Sequence, residues 1–167
     1  MYSKGNGVPL DLAQAVRWFR LAAEQSDAEG QYRLGRMYAD GLGVLQDYEE
    51  TVRWYRLAAE QGNPAALTNL GWMYAQGKGV PQDRLEATRL YRLAEERQFR
   101  LDAEDGKPNG MYLLGKMYLR GDGPPKNLVS AHMWFSLAAA NGQGMGRWMR
   151  DETAVSMAPE DIALAQR

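Results

Sequence analysis

Apolar residues recur along this chain at helical spacing, and the spacing itself recurs. Leu34, Met37 and Tyr38 stand at i, i+3 and i+4, one face of a helix. Leu70, Met73 and Tyr74 repeat that face 36 residues on, as the numbering shows. A second helical stripe follows each copy. Ala15, Trp18, Phe19 and Ala22 are predicted to form its buried side, and Thr51, Trp54, Tyr55 and Ala58 repeat it. A fixed period in the range of about 20–50 residues marks a stacked array, in which each unit buries its apolar face against its neighbours.

Polar and turn residues punctuate the same register. Gly35, Gly71 and Gly115 sit inside the first helices, at a cost of about 1 kcal/mol each against alanine. Close approach by the neighbouring backbone is the expected compensation. Gly41-Leu42-Gly43 and Gly77-Lys78-Gly79 then end those helices, since glycine readily takes the left-handed conformation of a C-cap. Pro9, Pro81 and Pro125 prevent continuation. Asp11, Asp47, Asp83 and Asn127 are N-caps of the second helices. Gln14, Glu50 and Glu86, three residues on, predict reciprocal capping boxes, and Ser130 makes the fourth weaker.

Extending the register divides the chain into a partial repeat at 1–27, a repeat at 28–63, one at 64–107, one at 108–142, and a C-terminal cap at 143–167. The third repeat carries eight extra residues near 95–103, because Leu114-Gly115 lies 44 beyond Leu70-Gly71. Eight helical residues add about 12 Å and turn the apolar face by about 80°. A second helix that runs on is the favoured path, and a break near Arg100 is the alternative. Phe99 and Leu101 then make a private contact or cover the neighbouring helix. Met1-Tyr2 falls on the Met-Tyr of a first helix, so the chain is expected to open at that helix's last turn, inside a trimmed or larger protein.

Composition narrows the function. The formal net charge of −1 gives no electrostatic case for nucleic acid, and no apolar run approaches about 18 residues, so no membrane insertion is expected. Cysteine is absent, which removes disulfides, thiolate metal sites and a thiol nucleophile. Ser-x-x-Lys, His-Glu-x-x-His and P-loop motifs are missing, and the carboxylates are scattered. Catalytic, cofactor-binding and metal residues are therefore none, and the chain is read as no enzyme. His132 stands alone as the one histidine and takes a packing or surface role. Met37, Met73 and Met117 share one repeat position and read as core filling.

The string Leu34-Gly35-x-Met37-Tyr38, Gly41-x-Gly43-Val44, Asp47, then Trp54-Tyr55-Arg56 through Gly62 resembles the Sel1-like repeat family, relatives of tetratricopeptide repeats. The resemblance covers about residues 1–142, and the tail from Arg150-Asp151 through Met157-Ala158-Pro159-Glu160 resembles that family's usual ending, with Ala158 where a capping threonine is common. It implies an all-α, right-handed αα superhelix, a solenoid of helix–loop–helix repeats. It also implies a scaffold or adaptor for a protein or peptide partner, in a bacterial regulatory, envelope or host-interaction complex. The alternatives are a structural spacer of a larger protein, or a β-lactam-binding hydrolase like some cysteine-rich relatives. This cysteine-free chain departs from the latter.

In related superhelices the first helix of each pair lines the concave face. There, positions outside the repeated core vary from copy to copy. Arg33, Arg36 and Asp40 stand in one copy, Asn69, Trp72 and Gln76 in the next, and Leu113, Lys116 and Arg120 in the third. Trp72 and Arg36 lead these candidates, since Trp and Arg dominate interface hot spots. Arg20, Arg56 and Arg92 form a second ladder, each four residues before a glutamate, and read as surface i, i+4 pairs. Trp148, Met149 and Met145 are expected to cover the last repeat. The N-terminal end is expected to expose part of the Trp18 surroundings, a patch that invites self-association.

Overall fold

Capping and loop chemistry place nine helices in the described residues, 11–166 of the computed structural model. They are α1 (Leu12–Glu24), α2 (Ala28–Asp40), α3 (Tyr48–Glu60), α4 (Pro64–Gln76), α5 (Arg84–Glu104), α6 (Pro108–Arg120), α7 (Leu128–Ala140), α8 (Gly144–Ala154) and α9 (Pro159–Ala165). No strand occurs among the described residues. The fold class is all-α, built of helix pairs. Met1-Tyr2, the first Gly-x-Gly loop and Pro9 lie outside the described residues. The helices fall into two compact units, one up to Ala94 and one from Glu95 onward, with α5 contributing to both.

Each second helix starts where its cap predicts, but the box is not reciprocal. The Asp47 carboxylate accepts from the Glu49 and Glu50 N–H groups, and Asn127 accepts from Ser130 N–H. Glu50 does not return the bond, because its carboxylate accepts from Arg53 and the Trp54 indole instead. The Asp47 N–H donates to the Tyr38 carbonyl at 3.0 Å, and Asp83 and Asn127 donate likewise to Tyr74 and Tyr118. Each loop is thereby tied to the end of the helix before it. Gln46 and Gln82 reinforce the tie by donating to the Ala39 and Ala75 carbonyls.

In the first unit, Leu34, Met37 and Trp54 pack with Ala15 and Val16, while Tyr55, Leu67, Leu70 and Met73 pack with Val52 and Leu90. Thr51, Trp54, Tyr55 and Ala58 are all buried, as the stripe predicts, and Met37, Met73 and Met117 are core residues. Trp18 is not. It is 55% exposed, whereas Trp54 gains cover from the helix pair before it. In the second unit Met111, Leu114, Ala103 and Ala138 form the core, with Phe99, Tyr112 and Trp134 against it. Trp148 and Met145 face outward and Met149 is half-buried, so the fully buried positions of α8 are Gly146 and Thr153.

The interior glycines admit chiefly aromatic rings, with the Ala87 carbonyl of the neighbouring helix also close at Gly71. A Cβ on Gly35 would lie 2.7 Å from the Tyr55 ring, and one on Gly115 would lie 2.5 Å from the Phe135 ring.

The insertion extends α5 without a break to 21 residues. Its start presents Ala87, Leu90 and Ala94 to the first unit's core, and its end presents Phe99 and Ala103 to the second's, while Leu101 is exposed.

Candidate partner-binding surface

The arginine ladder proves to be a structural tie between paired helices. Arg20 donates to the Tyr38 hydroxyl at 2.8 Å and Arg56 to the Tyr74 hydroxyl at 3.1 Å, each 18 residues apart. Neither bonds to the glutamate four residues on, which corrects the surface-pair expectation. The phenol on the next helix is half-buried and so held by packing, whereas Glu24 and Glu60 are exposed. In the third copy Arg92 is displaced by the insertion, and Arg100 takes its place, donating to Tyr118 at 3.3 Å and to Glu96 at 2.8 Å. These residues are occupied in holding the fold.

What varies on the first helices is left accessible. On α2, Arg33 pairs with Glu29, and Arg36 lies 3.8 Å from Asp40; all four are about half exposed. Arg33, Arg36 and Asp40 line one side of a shallow cavity of about 200 Å³, whose other wall is Leu12 and Phe19. On α4, Trp72 is 44% exposed and Gln76 is exposed. The Lys78 ammonium sits 4.7 Å from the Trp72 ring centre and 5.1 Å from that of Tyr48. On α6, in the second unit, Arg120 is exposed, Leu113 is half-buried, and half-buried Lys116 lies 5.7 Å over the Tyr112 ring.

Asn69 is a partial exception. Its amide donates to the Tyr55 hydroxyl at 3.5 Å, under the stripe. Burial, and then the neighbouring Tyr32 phenol stacked at 5.9 Å, push the Tyr55 hydroxyl up to about 12. Arg36 and Asp40 also act on it electrostatically, so α2 and α4 candidates converge around one neutral, buried phenol. That phenol cannot titrate near neutral pH, and no three of the described His, Asp or Glu residues are grouped to hold a metal. The stripe offers aromatic contact and charge.

His132 lies elsewhere, buried in the second unit with its Nδ1 unpartnered. Desolvation, and then Arg150, hold its imidazole below the usual 6.5, while Asp151 opposes them. A base with a depressed folded pKa binds its proton more readily when unfolded. Stability is therefore full above about pH 6.5, falls as pH drops through that value, and levels off below the folded pKa. Valine stands at the matching positions 16 and 52. His132→Val is expected to flatten this part of the pH profile and to add about 1 kcal/mol by removing an unsatisfied buried nitrogen. Urea unfolding from pH 5 to 8 checks both.

Comparison with known proteins agrees with this architecture. The Sel1 repeat family model matches residues 1–27, 28–63, 64–98 and 108–143. Among solved structures, a Sel1 repeat protein from Oxalobacter formigenes is similar, at 32% identity and a TM-score of 0.55, over 91% of this chain and 59% of that one. The c5321 protein, a protective antigen present in uropathogenic Escherichia coli strains displaying an SLR fold, is similar at 29% identity and a TM-score of 0.56, over 98% of this chain and 42% of that one. The chain thus spans about half the length of these structures. No curated protein matches it.

Proposed function

The chain belongs to the Sel1 repeat family, and from that premise we propose that it is a non-enzymatic adaptor that binds a protein or peptide along the variable stripe of its first helices. Sel1 repeats are typically protein-interaction scaffolds, and no described helix is long and apolar enough to cross a membrane. One observation carries the reading. At a single repeat position the chain places Arg36 and then Trp72, both exposed, on a framework whose adjacent positions, Gly35, Met37, Gly71 and Met73, are buried. A position exempt from stacking and filled with hot-spot residues is where recognition is written. Arg33, Asp40 and Gln76 flank it in the first unit, and Leu113, Lys116 and Arg120 extend the set in the second. Both similar structures named above are bacterial, which supports a bacterial envelope, regulatory or host-interaction setting.

The test is affinity capture from source-cell lysate with the wild-type chain and with Trp72→Ala, Arg36→Ala. A specific partner is expected whose recovery falls with the double variant, corresponding to at least about 2 kcal/mol, or about 30-fold in Kd. Equal capture by both proteins would move the interface off this stripe. A chain that captures nothing specific would favour the spacer reading.

A further inference from the structure

Four cations among the described residues lie over aromatic rings. Arg53 stands 5.0 Å over the Trp54 ring and also pairs with Glu50 at 3.1 Å. Arg33 stands 6.0 Å over Tyr32 and also pairs with Glu29. In both, a ring and a carboxylate hold the cation together. Lys116 has one ring alone, that of Tyr112 at 5.7 Å. Lys78 has two, Trp72 at 4.7 Å and Tyr48 at 5.1 Å, and forms no ion pair with a carboxylate among the described residues. A ring face attracts an ammonium without cancelling its charge. The Lys78 charge is therefore fixed in place yet not neutralised.

The register shows how this copy differs. Asp40, which faces Arg36 at 3.8 Å, is replaced one repeat later by Gln76, and Leu42 by Lys78. Leu12 and Arg36 likewise give way to Tyr48 and Trp72. The second copy thus gains two rings and a cation where it loses the acid. Its loop keeps the ammonium there. The Lys78 N–H donates to the Met73 carbonyl at 3.0 Å, Gln82 donates to the Ala75 carbonyl at 2.7 Å, and Gly77 and Gly79 flank Lys78 at φ of 68°. A donor held this way loses little ordering entropy when an acceptor arrives. Lys78 is half-buried and Trp72 is 44% exposed, so a partner can reach both.

An ion pair fully in water adds little. Here an apolar group laid on the indole would exclude water around the ammonium and strengthen the pair. Phosphate is the poorer fit, because it favours the arginine fork, and Arg33 and Arg36 are turned to Glu29 and Asp40. Resting on the adaptor reading for the source of the ligand, we propose that Lys78 receives an aspartate or glutamate side chain of the partner protein, while an apolar side chain beside that acid covers the Trp72 indole.

The Trp72 indole N–H resonance, identified as the signal missing from Trp72→Phe, reports on this site. Acetyl-Leu-Glu-Leu-Glu-amide, titrated into the full chain, is expected to shift it saturably. The glutamine counterpart of that peptide should bind at least about tenfold more weakly, the worth of one charge-assisted hydrogen bond. Lys78→Gln should erase the difference between the two peptides, and Lys78→Arg should keep it, because a guanidinium also stacks on aromatic faces. Equal affinity for the two peptides, no shift, or a difference that survives Lys78→Gln would each overturn the proposal. Inorganic phosphate that moves the resonance at a lower concentration than the glutamate peptide would overturn it as well. Capture from lysate separates this contact from the stripe as a whole. A partner lost with Trp72→Ala, Arg36→Ala but kept by Lys78→Gln would leave the adaptor standing and remove the carboxylate contact. A partner indifferent to the double variant would instead remove the stripe.

Discussion

Phe135→Ala is expected to destabilise the second unit by about 3–5 kcal/mol, and that loss should be coupled to a glycine twenty residues earlier. Phe135 is fully buried, and its ring is the atom group that a Cβ on Gly115 would strike, at 2.5 and 2.6 Å. Tyr112 holds the ring from another side at 5.9 Å between centroids. Gly115→Ala alone gains about 1 kcal/mol of helix propensity, yet it must displace a packed ring, for a net loss of about 1–3 kcal/mol. With Phe135 already truncated, the new methyl enters vacated space and the propensity gain survives. Gly115→Ala should then be stabilising by up to about 1 kcal/mol. Urea unfolding of the four proteins in the cycle gives the coupling. Additive losses would mean that the ring does not depend on this glycine.

That coupling also marks where sequence reading stops. The period, the caps and the methionine positions were legible, because each is written in residue types whose local physics suffices. The need for Gly35, Gly71 and Gly115 was legible too, but not the group that fills the space. A missing Cβ says that something approaches; only packing says that it is a ring at the Tyr55 or Phe135 position. Likewise Glu50 satisfies the capping-box spacing, yet the Trp54 indole and the Tyr38 carbonyl outcompete the reciprocal bond. Those partners come from side-chain direction and from the preceding helix, neither of which a four-residue motif encodes.

The insertion misled the ladder for a related reason. Arg92 keeps its register with Arg56 in sequence, but the tie is measured to the following tyrosine. The eight extra residues carry Tyr118 out of its reach and bring Arg100 into place. A search for arginine 18 residues before each Leu-Gly-x-Met-Tyr tyrosine would have found it. The stripe was legible as variation, although Asn69's bond to Tyr55 was not.

Gly79→Ala should be the most damaging change in the loops, at about 3 kcal/mol, and it should reach the candidate binding surface. Gly77 and Gly79 both have φ of 68°, a conformation that costs a residue with a Cβ about 1–2 kcal/mol. Their surroundings differ. A Cβ on Gly77 would meet Gln82 Cβ at 3.2 Å, a contact that a shift of a few tenths of an ångström relieves, whereas one on Gly79 would overlap the Tyr48 backbone carbonyl at the start of α3. Backbone at a helix start cannot move without releasing the Asp47 cap, so Gly79→Ala adds a displacement of the loop to the conformational cost. Gly77→Ala should lose about 1 kcal/mol. Lys78 stands between the two glycines with its ammonium over the Trp72 and Tyr48 rings. Displacing the loop withdraws that cation, so Gly79→Ala should shift the Trp72 indole N–H resonance well before the protein unfolds, while Gly77→Ala leaves it near its wild-type position. Thermal unfolding and an indole NMR spectrum of the two variants measure both effects. Equal losses with an unmoved Trp72 signal would show that the loop is free of Tyr48 and that Lys78 does not position the tryptophan.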